Sequence, residues 1–223
     1  MAFRVSKSGI PTDETTSLNF LVLGDQCVGK TSVIERYVNN TFKSNYLVTI
    51  GMDKRFKRLE VNNHNINIFI TDTAGQERFR SLSKMFYKRA DGILLGFSLT
   101  ELATFNSVNY WIKEIYENCT KDQIGIVLFG NKCDDKENIQ VNKEDIDKII
   151  KEYNLIYFGT SAKDNINVKE IFEYLTKLTI IKKKLGKSIE LGENPKIEDI
   201  NITVKENQKL ETKHVKPKKK KKC

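Results

Sequence analysis

Eight residues near the start of the chain constrain its fold more than anything else in it. They read Gly24-Asp25-Gln26-Cys27-Val28-Gly29-Lys30-Thr31, a GxxxxGKT string. The apolar run Leu18–Leu23 precedes it and the helical stretch Lys30–Val38 follows, so the string joins a buried strand to a helix. A loop in that setting wraps the N–H groups of Asp25, Gln26, Cys27, Val28 and Gly29 around phosphate oxygens, and the following helix adds the positive end of its dipole. Lys30 supplies a point charge to the outer phosphates, and the Thr31 hydroxyl is a hard ligand for Mg²⁺. A plain glycine turn before a helix is the bland alternative.

The rest of the body alternates in the same way. Met52–Val61 and Ile66–Thr71 flank the turn cluster Asn62–Asn65 and predict a hairpin. Gly92–Phe97, Gly125–Phe129 and Leu155–Phe158 are further strands, while Ala103–Cys119, Asn142–Tyr153 and Val168–Leu178 carry helical apolar spacing. The expected class is α/β: a six-stranded, mostly parallel sheet with one antiparallel strand and helices on both faces. Ligands of such sheets bind at the carboxyl ends of the strands.

Two further strings fall at those ends. Asp72-Thr73-Ala74-Gly75-Gln76-Glu77 closes the third strand. Asp72 suits the metal, Gly75 can offer its N–H to a terminal phosphate, and Gln76 can orient a water for in-line attack. Asn131-Lys132-Cys133-Asp134 closes the fifth strand and Thr160-Ser161-Ala162-Lys163 the sixth. The Asp134 carboxylate can accept from guanine N1–H and the 2-amino group, a donor pair that adenine lacks. Lys132 can lie over the base, and the Ala162 N–H can meet guanine O6.

The 223 residues allow one ordinary domain and a tail, and 39% hydrophobic residues suffice for a core. No apolar run approaches the roughly 18–20 residues of a membrane span, and the start lacks a secretory apolar region, so the expectation is a cytosolic protein. Ala2 excludes N-myristoylation. Cys27, Cys119, Cys133 and Cys223 lack metal-ligand spacing and predict no disulfide framework. Net charge is +9, of which +5 sits in the last 38 residues, ending in Lys218–Lys222 and Cys223. The expected layout is a flexible extension over 1–17, the body over 18–185 and a disordered polybasic tail over 186–223. Solubility, nucleic-acid binding and attraction to an anionic membrane all fit a lysine run; the terminal cysteine favours the membrane, with no nucleic acid.

Gly24–Thr31, Asp72–Glu77, Asn131–Asp134 and Ser161–Lys163 together resemble the Ras superfamily of small GTPases, over about residues 18–181. Glu77-Arg78-Phe79-Arg80-Ser81-Leu82, Thr49-Ile50-Gly51 and the Cys-ending tail are similar to its Rab branch. The resemblance implies a P-loop NTPase fold and a GTP/GDP switch that hydrolyses GTP in vesicle trafficking. It adds Asn131, Ser161 and Lys163 to the guanine set, with Phe42 packing on the base. It makes Tyr46 the cover of the phosphates, Thr49 a second hydroxyl ligand of Mg²⁺, and Cys223 the lipidation site. It also implies a monomer on the cytosolic face of endomembranes that cycles with the cytosol. Its partners would be an exchange factor, a GTPase-activating protein, a GDP-dissociation inhibitor, a prenylation escort and trafficking effectors.

The chain departs from that pattern in three places. Gln26 and Cys27 replace smaller residues beside the γ-phosphate, which predicts slow intrinsic hydrolysis. Lys54 and Thr71 stand where Rab proteins carry two aromatics of an effector-binding triad, leaving Tyr87 as the third. A single terminal cysteine forbids a double prenyl anchor. The rival readings are a GTP-loaded scaffold with nearly silent hydrolysis, another branch of the superfamily, an ATP-using P-loop enzyme and a nucleic-acid binder.

Overall fold

The computed structural model describes residues 16–44, 52–73, 80–187 and 195–204. Its elements run β1 (Thr16–Leu23), α1 (Lys30–Asn39), β2 (Met52–Val61), β3 (His64–Thr73), α2 (Arg80–Arg89), β4 (Gly92–Ser98), α3 (Leu102–Asn106), α4 (Val108–Asn118), β5 (Gly125–Asn131), α5 (Lys143–Tyr153), β6 (Ile156–Gly159), α6 (Val168–Lys182) and β7 (Ile202–Val204). The sheet order is β6-β5-β4-β1-β3-β2-β7. β1 pairs in parallel with β3 and β4, and β4-β5-β6 continue in parallel. β2 runs antiparallel to β3, as the hairpin requires.

Side-chain alternation splits the core into two layers. Leu18, Phe20 and Val22 of β1 face one cluster with Val33, Ile34 and Tyr37 of α1 and Ile171, Phe172 and Leu175 of α6. Leu21 and Leu23 face the other, with Ile112 and Ile115 of α4 and Ile146 and Ile149 of α5. β4 and β5 are buried along their whole length, which explains why they read as unbroken apolar runs. The Tyr37 and Phe172 rings stack 3.9 Å apart and lock α1 to α6.

The structure corrects the sequence reading in four places. The hairpin turn is two residues long, not four: Asn62 and Asn63 have φ of 46° and 67°, the left-handed pair that matches strand twist, and His64 already belongs to β3. The stretch Ala103–Cys119 is two helices, broken at Ser107, whose hydroxyl donates to the Ala103 carbonyl at 3.2 Å. The segment Arg80–Arg89, to which the sequence reading gave no element, forms a helix, α2.

The fourth correction is the strand count. Among the described residues there are seven strands, because Ile202–Val204 pairs antiparallel with Val61–Leu59 of β2. Residues 195–204 therefore do not share the disorder expected of the tail. Ile200 is fully buried in the α1–α6 layer, and Asn62 exchanges hydrogen bonds with Asn201 and Asp199. One large apolar side chain and a free strand edge suffice to dock a short polar segment. Ile200→Ala should lower stability by about 2 kcal/mol and speed hydrogen exchange at the β7 and Leu59–Val61 amides. Unchanged exchange there would mean that Ile200 does not hold the strand.

Candidate nucleotide-binding site

The GxxxxGKT string forms the turn from β1 into α1. Gly24 has φ of 132° and Gly29 of 93°, conformations that disfavour a side chain. Space adds a second constraint: a Cβ on Gly24 would strike the Gly96 carbonyl of β4, and one on Gly29 the Asn131 amide. Gln26 and Cys27 are exposed at the crest of the loop. Cys27 itself is left-handed, with φ of 63°.

Lys30 lies inside the loop, 5% exposed. Its Nζ donates to the Gly24 carbonyl at 2.8 Å and the Asp25 carbonyl at 2.7 Å. Burial lowers its pKa from 10.5 to about 8, with Asp72 and Asp25 pulling the other way. The Thr31 hydroxyl donates to Asp72 Oδ2 at 2.6 Å. Asp72 Oδ1 is buried with no hydrogen-bond partner, and burial raises the Asp72 pKa. A hydroxyl and a carboxylate with one unsatisfied oxygen fit a small hard cation.

In the loops after β5 and β6, Ser161 Oγ donates to Asp134 Oδ1 at 2.6 Å, and Lys163 Nζ lies 3.7 Å from Oδ2. The carboxylate is thus aimed before any ligand arrives. Lys132 is left-handed, with φ of 67°, so the chain turns sharply between Asn131 and Asp134. Phe42 is 38% exposed, its ring 6.0 Å from the Arg36 guanidinium.

Asn131 joins the loops after β1, β5 and β6. Its side-chain amide donates to the Val28 carbonyl at 2.8 Å, and its oxygen accepts from Ala162 N–H at 3.3 Å and Thr160 Oγ1 at 3.4 Å. The Ala162 N–H expected to meet a base oxygen is thus engaged with Asn131. Tyr46, Thr49, Gly75, Gln76 and Cys223 lie outside the described residues.

Comparison with known proteins agrees with this arrangement. The Ras family model matches residues 19–181. The chain is 35% identical over 187 residues to Ras-related protein Rab-13 of Bos taurus, covering 84% of this chain and 91% of that protein. It is 37% identical over 191 residues to Ras-related protein Rab-8A of Rattus norvegicus, covering 85% and 90%. The chain belongs to the Ras family, as a Rab-type small GTPase.

As such it binds guanine nucleotides, hydrolyses GTP to GDP and phosphate, and acts in vesicle-mediated membrane trafficking. This Rab-type GTPase also uses two residues that sequence reasoning missed. Trp111 of α4 donates its indole N–H to Asp25 Oδ1 at 2.8 Å. Arg36 of α1 donates to the carbonyls of Ala162 at 2.8 Å and Lys163 at 3.0 Å. One ties the phosphate loop to α4, the other the base loop to α1. Neither carried a signal in one dimension, since the partners are 86 and 126 residues away. Tyr87, expected to remain in an effector triad, is buried at 2% exposure and packs α2 against α4. Burial also raises the Cys119 pKa to about 11, which keeps that thiol protonated and inert.

Proposed function

We propose that this Rab-type GTPase is a membrane-cycling switch in which the loops after β1, β5 and β6 hold GTP, phosphates at Lys30 and guanine at Asp134. The observation that carries the reading is the Asn131 bridge, which holds the phosphate loop and the base loop in one rigid frame. Calorimetry with GTP and ATP tests it: tight GTP binding with no ATP heat is expected, and equal heats would overturn it.

Thr31 and Asp72, joined by Thr49, are the residues that would hold Mg²⁺. The buried orphan oxygen of Asp72 supports the first two. Bound there, the ion would neutralise charge on the outer phosphates. Tyr46 covers the phosphates, and Phe42 packs on the base. Thr49 and Gly75 grip the γ-phosphate end of GTP and thereby order the segments around 41–51 and 74–89. Gln76 orients the attacking water, and loss of the γ-phosphate releases both segments.

Gln26 is exposed on the loop, and its long side chain would crowd Gln76 or an arginine supplied by an activating protein. Intrinsic turnover is therefore slow. Gln26→Gly should speed single-turnover hydrolysis about tenfold, or roughly 1.4 kcal/mol of barrier; an unchanged rate removes the idea.

The partners are those of the family: exchange factor, activating protein, GDP-dissociation inhibitor, prenylation escort and trafficking effectors. Among the described residues no helix is long and apolar enough to cross a membrane. Attachment to the cytosolic face of endomembranes uses a lipid at Cys223 assisted by Lys213, Lys216 and Lys218–Lys222, each lysine adding about 1 kcal/mol near an anionic leaflet. Intact mass of the protein from its own cells should show one prenyl group; an unmodified terminus would leave electrostatics alone.

A further inference from the structure

We infer that Arg36 of α1 is a positioning residue for base selection: its grip on the loop after β6 aims the Asp134 carboxylate. The inference rests on the proposed reading of guanine by Asp134 and deepens it. Arg36 lies half-buried on α1, and each arm of its guanidinium meets a backbone carbonyl. Nε donates to the Ala162 oxygen at 2.8 Å, Nη2 to the Lys163 oxygen at 3.0 Å and Nη1 to the Asn40 oxygen at 3.1 Å. The Asn40 arm anchors the group on its own helix, since the Asn40 N–H donates in turn to the Arg36 carbonyl at 3.0 Å. A planar fork so fixed holds two successive carbonyls in one orientation.

Peptide planarity carries that grip onward. The Lys163 carbonyl shares its plane with the Asp164 N–H, which donates to Ser161 Oγ at 2.9 Å. With that lone pair occupied, the Ser161 hydroxyl turns its proton to Asp134 Oδ1 at 2.6 Å. Ser161 and Ile166 exchange backbone hydrogen bonds of 3.0 Å, so the loop between them is closed at its base while Arg36 holds its crown.

Two side chains meet the carboxylate, and they are unequal. Lys163 Nζ stands 3.7 Å from Oδ2 on a side chain 65% exposed, a contact worth little. Ser161 is fully buried and short. The aim of Asp134 therefore depends on Ser161, and the aim of Ser161 on the peptide that Arg36 holds. Guanine asks more of that aim than hypoxanthine does. Guanine offers N1–H and a 2-amino group, hypoxanthine N1–H alone, and both present the same 6-oxygen. Two parallel hydrogen bonds need the carboxylate in the plane of the base, whereas one tolerates a tilt.

The test uses the full chain with Mg²⁺ and the displacement of a fluorescent GDP by GDP or by inosine diphosphate. The wild type should prefer GDP by about 10- to 100-fold, the worth of one hydrogen bond to a charged group. Arg36→Met and Arg36→Lys should each lower that preference at least about fivefold, by weakening GDP more than inosine diphosphate. The lysine keeps the charge and the alkyl stem but has no fork, so it also serves if the methionine variant does not fold. In Asp134→Asn, where the preference is already lost, adding Arg36→Lys should change it by less than about twofold. A wild-type preference in either Arg36 variant overturns the inference even if both nucleotides bind more weakly, since Arg36 would then only support the loop. A further change on the Asp134→Asn background overturns it too, by placing the effect elsewhere. A wild type that prefers GDP, with variants that do so equally, sinks this inference alone. A wild type without preference sinks the Asp134 reading first, and the inference with it.

Discussion

Asp134→Asn should cut GTP and GDP affinity by roughly 10²- to 10⁴-fold, because two charge-assisted hydrogen bonds of about 1.5–3 kcal/mol each are lost or weakened. The asparagine keeps one acceptor but turns an N–H₂ toward the guanine 2-amino group, donor against donor. Xanthine carries an oxygen at that position, so the variant should gain affinity for xanthosine nucleotides. The frame around the side chain favours a clean exchange: Ser161 can still donate to the remaining oxygen, as it does to Asp134 Oδ1 at 2.6 Å. Displacement of a fluorescent GDP by each nucleotide measures both effects. Retention of GTP within about tenfold, with no gain for xanthosine triphosphate, would show that position 134 does not read the base.

Lys30→Met should abolish the stabilisation of the protein by GDP while moving the melting temperature of the nucleotide-free chain by only a few degrees. The asymmetry follows from burial. In the free chain the ammonium is 5% exposed and its pKa has dropped from 10.5 to about 8, so its charge is unfavourable until phosphate arrives. Removing it relieves that penalty but strips the Gly24 and Asp25 carbonyls of their donor; the two effects oppose each other.

The same shift fixes a pH dependence. Between pH 8 and 10.5 the unfolded chain holds more protons on Lys30 than the fold does, so the stability of the free protein rises with pH across that window. Nucleotide binding restores the ammonium, so above pH 8 it takes up a proton and weakens. Calorimetry of the wild type at pH 9 in two buffers of different ionisation heat should detect that uptake. Equal heats in both buffers for the wild type would refute the buried-charge account.

The local part of the site was legible because each string is nearly contiguous and falls at a strand end. Lys30, Thr31, Asp72 and Asp134 all stand where strand-to-loop reasoning put them. The Asn131 bridge was less legible. Its neighbours in the chain suggested a base contact, yet much of its hydrogen bonding is spent inside the protein, on Val28 and Ala162. β7 was missed for a related reason. A segment with few apolar residues reads as tail, and only the exposed edge of β2 and the pocket that buries Ile200 make it a strand.

Short-range chemistry in the chain itself determined the glycine-rich turn into α1, the placing of the Asp134 carboxylate just past β5, the alternation of strands and helices, and hence the family. Folding in three dimensions decided what needs partners far apart in sequence: Trp111 on Asp25, Arg36 on the Ala162 carbonyl, and the seventh strand. A motif is contiguous because a phosphate or a base edge spans only a few residues. A hydrogen bond across 86 residues leaves no period or spacing behind, so it exists only once the layers have packed.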